Sequence, residues 1–165
     1  MSERIHNILF LCTGNSARSI LAEALMNQLG RERGFRAFSA GSHPRGSVHP
    51  AALELLASRG LPTEGLRSKG WEEFAAPDAP ALDFVFTVCD QAAGEVCPVW
   101  PGQPVTAHWG QPDPAAVSAP EAAVRKAFLD AFVTLQRRIE LMLALPLQRL
   151  DALSLRREVD RIGQQ

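Results

Sequence analysis

The chain has 165 residues, 46% hydrophobic and 21% charged, and its 17 basic and 18 acidic residues give a formal net charge of -1. A chain of this length and composition forms one globular domain that folds without a disulfide or a metal. The charge balance argues against a cationic surface for nucleic acid or an anionic membrane, and no run approaches the ~20 apolar residues of a membrane helix. Three cysteines and a short apolar N-terminal run with no small-residue cleavage site after it lead us to expect a cytoplasmic protein.

The first half of the chain alternates predicted strands with predicted helices. A nearly continuous apolar run predicts a buried first strand over residues 5–11. Apolar residues at helical spacing then predict a helix from about Ser19 to Gly30. Residues 35–40 form a second short strand, and a second helix is predicted from Pro50 until Gly60 ends it.

The second half contains two further strands and a long helix. Aromatic and β-branched residues predict a strand over residues 82–89, and residues 105–108 form a short fourth strand. Prolines on both sides of Asp113 place that aspartate in a loop. An apolar stripe predicts a last long helix that Pro146 ends. We therefore expect one catalytic domain over residues 1–146 and an arginine-rich tail, residues 147–165, that forms a loosely attached helix.

Strands that alternate with helices predict an α/β fold, with a parallel sheet covered by helices on both faces. Ligands of such sheets bind beyond the carboxyl ends of the strands. Cys12, Cys89 and the loop that carries Asp113 all follow predicted strands. We therefore expect these three groups to meet at one edge of the sheet.

The segment between the first strand and the first helix has the strongest chemical signature. It consists of Cys12, Thr13, Gly14, Asn15, Ser16, Ala17, Arg18 and Ser19. A tight turn at a helix N-terminus directs backbone N–H groups inward, and Arg18 adds a planar fork that matches two oxygens of a phosphate-like anion. The same positive field is expected to lower the pKa of the Cys12 thiol, with Ser19 placed to donate a hydrogen bond to the thiolate. The alternative is a buried structural cysteine followed by a solvated arginine.

Residues 8–19 (ILFLCTGNSARS) resemble the low-molecular-weight protein tyrosine phosphatase superfamily, and in particular its thioredoxin-linked arsenate reductase branch. The resemblance extends over residues 38–42, 87–90, 97–98 and 108–114, and it reaches to about residue 145. It implies a three-layer fold with a four-stranded parallel sheet in the order 2-1-3-4. It also implies that Cys12 and Arg18 are catalytic and that Asp113 is the general acid, although an aspartate before proline is also common in turns.

Cys89 and Cys97 distinguish the two branches. A phosphatase frees its cysteine by hydrolysis, whereas a reductase must supply two electrons. The resemblance implies that Cys89 attacks the sulfur of the Cys12 adduct and releases arsenite, after which Cys97 attacks Cys89 and frees Cys12. Seven residues separate Cys89 from Cys97, one more than in the best-known relatives, and an extra residue costs little in loop closure. The alternative is that Cys89 is a buried strand-end residue and Cys97 an incidental one.

The absence of tyrosine favours a small inorganic substrate, because the phosphatases usually place aromatic residues beside the Asp-Pro loop. We expect arsenate as substrate, with phosphate or sulfate as mimics, and no bound cofactor. Thioredoxin is the expected external reductant, while glutathione with glutaredoxin, or mycothiol, remain open. Two alternative functions also remain open: a phosphatase that acts on phosphotyrosine or small aryl phosphates, and a non-catalytic oxyanion-binding or redox-sensing module.

A group of polar residues is expected to support the loop from behind. The resemblance implies that Asn15 braces the loop, with Ser39 and Ser42 as neighbours. Some relatives bind potassium with residues that match Asn15, Glu23 and Ser39. Here the ammonium group of Lys69 is expected to take the place of that cation and to pair with Glu23, although a solvated lysine is the alternative. The histidines have no metal-ligand spacing, so no metal is expected.

Overall fold

A computed structural model describes residues 5–89, 100 and 104–165 of the chain. Its strands are β1 (His6–Cys12), β2 (Phe35–Gly41), β3 (Phe84–Thr87) and β4 (Val105–His108). All three pairings are parallel, and the strand order is β2-β1-β3-β4. The predicted fold class and strand order are therefore confirmed.

The helices are α1 (Arg18–Leu29), α2 (Pro50–Ser58), α3 (Glu72–Ala75), α4 (Glu121–Leu143) and α5 (Ala152–Ile162). Short 3-10 turns occupy Arg31–Arg33, Pro114–Ala116 and Leu147–Arg149. Residues 82, 83, 88 and 89 lie outside the β3 ladder, so the third strand is shorter than predicted. The four-residue helix α3 is too short for its period to be detected in the sequence.

Both faces of β1 are buried, as its continuous apolar run predicts. Ile8 and Phe10 belong to the larger core, with the buried sides of α1, α2, α4 and α5. Leu9 and Leu11 belong to a smaller core on the opposite face, which includes Phe74 of α3. Alternate side chains of one strand thus fill two layers, and this gives the sheet its cover on both faces.

The strand register brings all four carboxyl ends to one edge. Cys12 pairs with Gly41, Leu11 with Thr87, and Thr87 with His108. The loops that follow β1, β3 and β4 therefore start side by side. This edge is where the sequence predicts the active site.

The C-terminal helix α5 is more firmly attached than predicted. Leu155, Val159 and Ile162 are buried in the larger core, and Trp109 Nε1 donates a hydrogen bond to the Val159 carbonyl oxygen at 2.8 Å. The expectation of loose attachment is wrong because the helix has an apolar stripe that is buried, while its three arginines all lie on the exposed side. The boundary at residue 146 stays a prediction. Within the described part of the chain, no helix is both long and apolar enough to cross a membrane.

Candidate active site

The segment 12–18, here called the oxyanion loop, joins the end of β1 to the first residue of α1. The carbonyl oxygens of Thr13, Gly14 and Ser16 accept backbone hydrogen bonds of 2.9, 3.0 and 2.9 Å from the segment that follows β2. A peptide N–H points opposite to its C=O, so these outward carbonyls turn the N–H groups toward the inside of the loop. The N–H of Gly14 is hydrogen-bonded to the Cys12 side chain. The result is a concave nest of inward-facing N–H groups, and its binding of an anion stays a prediction.

Two backbone features make this tight path feasible. Asn15 has a φ of 45°, a left-handed conformation that asparagine tolerates better than most residues. At the end of β2, a Cβ on Gly41 would lie 2.4 Å from the Thr13 carbonyl oxygen, so only glycine lets β2 approach the loop this closely. Glycine at this position is therefore part of the site.

The side chain of Asn15 holds the loop from behind. Its Nδ2 donates to Ser19 Oγ at 2.8 Å and to Ser39 Oγ at 2.9 Å, and its Oδ1 accepts from the Lys69 backbone N–H at 2.9 Å. Asn15, Ser19 and Ser39 are fully buried. The structure thus places Asn15 and Ser39 together as expected, whereas Ser42 contacts the ring of His43 at 3.0 Å. Ser19 accepts a bond here, and its donation to a thiolate stays a prediction.

Glu23 and Lys69 form a buried ion pair behind this network. Lys69 Nζ lies 3.8 Å from Glu23 Oε1 and donates to the Arg67 carbonyl oxygen at 3.0 Å, while Ser39 Oγ donates to the same Glu23 oxygen. Lys69 is only 7% exposed, so the alternative of a solvated lysine is wrong. Burial raises the pKa of Glu23 and lowers the pKa of Lys69, and each charge opposes the shift of the other.

Arg18 connects the oxyanion loop to the segment 109–113, here called the acid loop. The Arg18 residue is 8% exposed, so it is not a solvated arginine. Its Nη1 donates to the Gln111 carbonyl oxygen at 2.8 Å, and its Nη2 lies 3.6 Å from Asp113 Oδ2. Asp113 Oδ1 accepts from the Ala115 N–H at 3.0 Å, which starts the turn after the loop. Arg18 Nε is buried and has no acceptor among the described residues.

The two described cysteines meet inside the site. The pKa of Cys12 is raised above its ordinary value, first because its side chain is hydrogen-bonded to Cys89 and then because it is buried. The charge of Arg18 and the Gly14 N–H act in the opposite direction. The expectation of a lowered Cys12 pKa is therefore wrong for this arrangement, because a distant part of the chain brings in a second thiol. Two interacting thiols lose their protons in successive steps that belong to the pair.

The structure describes some, but not all, of the remaining predicted site residues. Thr13 Oγ1 lies 3.6 Å from Cys89 Sγ, within hydrogen-bonding range for sulfur. Cys89 itself is 2% exposed and lies two residues beyond the end of β3. Cys97 lies outside the described residues. The predicted meeting of Cys12, Cys89 and the acid loop at one edge thus holds for the described groups.

Two residues of the site were not predicted from the sequence. Gln111 contributes its backbone carbonyl oxygen. Every residue type has such an oxygen, so the identity of residue 111 gives no signal of this contact. The exposed side chain of Arg45 packs over Gly14. A Cβ added to Gly14 would lie 3.1 Å from Arg45 Nε. An arginine shortly after the second strand is a weak signal by itself, because most such residues are solvated.

Comparison with known proteins agrees with this geometry. Residues 7–151 match the family model of the low molecular weight phosphotyrosine protein phosphatases, and the chain belongs to that family. Within it, the chain is 38% identical over 109 residues to an arsenate reductase of Halalkalibacterium halodurans, which covers 66% of this chain and 73% of the relative.

Solved structures place the chain beside the same group of enzymes. An arsenate reductase from Archaeoglobus fulgidus is 28% identical with a TM-score of 0.60, over 81% of this chain and 98% of that one. An arsenate reductase in the phosphate binding state is 25% identical with a TM-score of 0.65, over 85% and 98% of the two chains. The family resemblance seen in the sequence is therefore confirmed.

Proposed function

We propose that the protein is an arsenate reductase that converts arsenate to arsenite with its own cysteine thiols. The observation that carries the proposal is that the buried side chains of Cys12 and Cys89 lie close together at the oxyanion loop. Hydrolysis of a phosphate ester needs one thiol, whereas reduction needs a second sulfur within reach of the first. The arsenate reductases among its relatives support the same conclusion.

Substrate binding uses groups that are already oriented. The inward N–H groups of the oxyanion loop and the guanidinium of Arg18 suit a tetrahedral oxyanion such as arsenate. The buried Arg18 Nε supports this role, since a buried donor without an acceptor in the described part of the chain is costly unless a ligand satisfies it. Phosphate and sulfate share the same shape and are expected to compete.

In the first chemical step, the Cys12 thiolate attacks arsenic. An As–S bond forms and an As–O bond breaks, and Asp113 gives a proton to the departing oxygen, which leaves as water. The proton of Cys12 must leave before the attack, and its raised pKa makes this a real requirement. Arg18 and the Gly14 N–H stabilise the thiolate once it forms, and Cys89 can share the remaining proton of the pair.

In the second step, the Cys89 thiolate attacks the sulfur of Cys12. An S–S bond forms, the As–S bond breaks, and its electron pair stays on arsenic, which changes from pentavalent to trivalent and leaves as arsenite. The two cysteines together lose the two electrons that arsenic gains. This step needs the second thiol beside the first, and the contact between Cys12 and Cys89 supports it.

The third step transfers the disulfide to a position where an external thiol can reduce it. The Cys97 thiolate attacks Cys89, a Cys89–Cys97 disulfide forms, and Cys12 is released as a thiolate. We propose a thioredoxin-type dithiol as the reductant, in the reducing cytoplasm. Glutathione with glutaredoxin and mycothiol are the competing donors.

A phosphatase activity is the second candidate, because the family match covers Cys12, Arg18 and Asp113. The principal aromatic candidate for binding a phosphotyrosine ring is Trp109, and this side chain is fully buried in the core. The sequence also contains no tyrosine. We therefore expect hydrolysis of aryl phosphates to be the lesser activity.

The test follows arsenate-dependent NADPH oxidation with thioredoxin and thioredoxin reductase, in the wild type and in the Cys89→Ser and Cys97→Ser variants. Both variants are expected to lose steady-state turnover. In a single turnover, Cys97→Ser should still release arsenite and accumulate a Cys12–Cys89 disulfide, while Cys89→Ser should release none. Rapid hydrolysis of para-nitrophenyl phosphate by all three proteins, with no reduction of arsenate by the wild type, would overturn the proposal.

A further inference from the structure

The helix α5 (Ala152–Ile162) lies beyond residue 151, where the family match ends, yet it contacts the start of the acid loop. Trp109 is the first residue of that loop, and its Nε1 donates to the Val159 carbonyl oxygen at 2.8 Å. Just after α5, a Cβ on Gly163 would lie 2.2 Å from the His108 carbonyl oxygen and 2.7 Å from Trp109 Cδ1. The end of α5 is thus in direct contact with the carboxyl end of β4.

Arg138 of α4 joins α5 and the acid loop from the other side. Its Nη1 donates to the carbonyl oxygens of Trp109 at 2.9 Å and Gly110 at 3.1 Å, and its Nη2 donates to the main-chain oxygen of Gln165 at 3.2 Å. Arg138 is only 6% exposed, and burial lowers its pKa. No described carboxylate side chain pairs with it, and its hydrogen bonds go to main-chain oxygens of the two segments that it connects.

The same loop reaches the catalytic centre one residue later. The Gln111 carbonyl accepts from Arg18 Nη1 at 2.8 Å, and Asp113 lies 3.6 Å from Arg18 Nη2. The acid loop is therefore held by Arg138 and α5 at its start and by Arg18 at its end. A bound oxyanion engages Arg18 as well, so the start of the loop is the part whose anchors do not depend on the ligand.

We propose that α5 and Arg138 position the acid loop, so that Asp113 faces the oxyanion when Arg18 turns to bind it. This inference rests on the proposed role of Asp113 as the general acid. In it, Arg138 is a positioning residue that touches neither substrate nor reacting atoms. Misplacement of an acid by about 1 Å lowers a rate by up to about a hundredfold.

The experiment is a double-mutant cycle between Arg138→Met and Asp113→Asn, measured as kcat and KM for arsenate with the full chain. Arg138→Met alone is expected to lower kcat by about tenfold or more and to leave phosphate affinity, measured by calorimetry, within about twofold of wild type. In the Asp113→Asn background the same substitution is expected to have almost no further effect, since the acid that it positions is gone.

Two further variants separate positioning from folding. Arg137→Met alters the exposed arginine next to Arg138 and is expected to behave like the wild type. Gly163→Ala leaves Arg138 intact but places a methyl group against the His108 carbonyl. It is expected to lower kcat in the same direction, and again only when Asp113 is present. Circular dichroism melts and phosphate binding verify that each protein is folded.

The outcomes distinguish a failure of the positioning role from a failure of the proposed function. If Arg138→Met and Gly163→Ala retain wild-type kcat, or lower it equally with and without Asp113, the positioning role is wrong. If instead the wild type does not reduce arsenate, or Asp113→Asn is as active as the wild type, the proposed function or its acid is wrong. A loss of kcat that occurs only in proteins that retain Asp113, with phosphate affinity unchanged, supports the inference.

Discussion

The oxyanion loop, which ends at Arg18, and the acid loop, which Arg18 contacts, are held in different ways. The oxyanion loop is fixed through its own backbone: its carbonyls accept bonds from the segment after β2, and Asn15 satisfies three partners from behind. The acid loop is held by two arginines at its backbone carbonyls, and the Asp113 side chain is 36% exposed. The oxyanion loop is thus mostly buried and fixed by many hydrogen bonds, whereas the acid loop is held at its two ends.

This difference matches the two tasks proposed for the loops, which are oxyanion binding and proton delivery. Binding an oxyanion requires donors that do not reorganise when charge develops, and a buried network provides them. Delivering a proton requires a carboxyl that can approach the substrate after binding, and a partly exposed side chain at the end of the anchored loop permits this. The site thus combines a rigid half and an adjustable half, with Arg18 as their common member.

The strongest way to break the rigid half is Arg18→Lys. Lysine keeps the charge but loses the planar fork, so it cannot contact two oxygens and the Gln111 carbonyl together. We expect kcat/KM for arsenate to fall by about a thousandfold. Arg36→Lys is the matched control, because Arg36 is exposed at the amino end of β2, opposite the edge that carries the site, and it should stay within a few-fold of wild type. A loss of less than tenfold in Arg18→Lys would contradict the bidentate role.

The adjustable half is tested by Asp113→Asn. The amide keeps the size of the side chain, but its N–H protons are not acidic enough to be transferred, so kcat should fall by about a hundredfold while phosphate affinity changes little. Asp130→Asn, on the exposed side of α4, is the control and should be neutral. An equal loss of affinity and turnover would show that Asp113 acts by holding Arg18 in place, and the comparison of the two halves would then be wrong.

The same contrast explains which parts were predictable from the sequence. The oxyanion loop, the parallel sheet and its order follow from local patterns or from the resemblance, because the residues of the loop are contiguous. The contact of Arg138 with the acid loop and the shift of the Cys12 pKa depend on residues 28 or 77 positions away in the chain, which no local pattern records. Arg138 has one local signal, since it occupies a core position in the apolar stripe of α4.

The contact between the cysteines predicts a pH effect. The pKa of Cys12 is raised chiefly by its hydrogen bond to Cys89, so Cys89→Ala removes the largest cause and leaves Arg18 and the Gly14 N–H to favour the thiolate against burial alone. The midpoint of Cys12 alkylation should therefore shift to lower pH, and its rate near neutral pH should rise by about tenfold. Mass spectrometry of iodoacetamide-labelled peptides gives the rate, with Cys97→Ala as control. An unchanged midpoint in Cys89→Ala would contradict the thiol–thiol contact.

The buried pair behind the rigid half is expected to affect stability rather than rate. In Lys69→Met the Glu23 carboxylate loses its cation, and its pKa, already raised by burial, rises further. The variant should lose about 3 kcal/mol of unfolding free energy at alkaline pH, and the loss should shrink as pH falls, because a protonated Glu23 needs no partner. Urea unfolding at several pH values measures this, with exposed Lys126→Met as control.

The same variant tests whether a lysine replaces a bound cation. In the wild type the ammonium of Lys69 already lies beside Glu23, so activity should be equal in potassium and in sodium at fixed ionic strength. In Lys69→Met a monovalent cation can enter beside the carboxylate, so potassium should raise activity several-fold and recover part of the lost stability. Stimulation of the wild type to the same extent would show that Lys69 does not fill this place. Because Asn15 accepts from the Lys69 backbone, which the substitution keeps, the oxyanion loop itself should stay intact in both proteins.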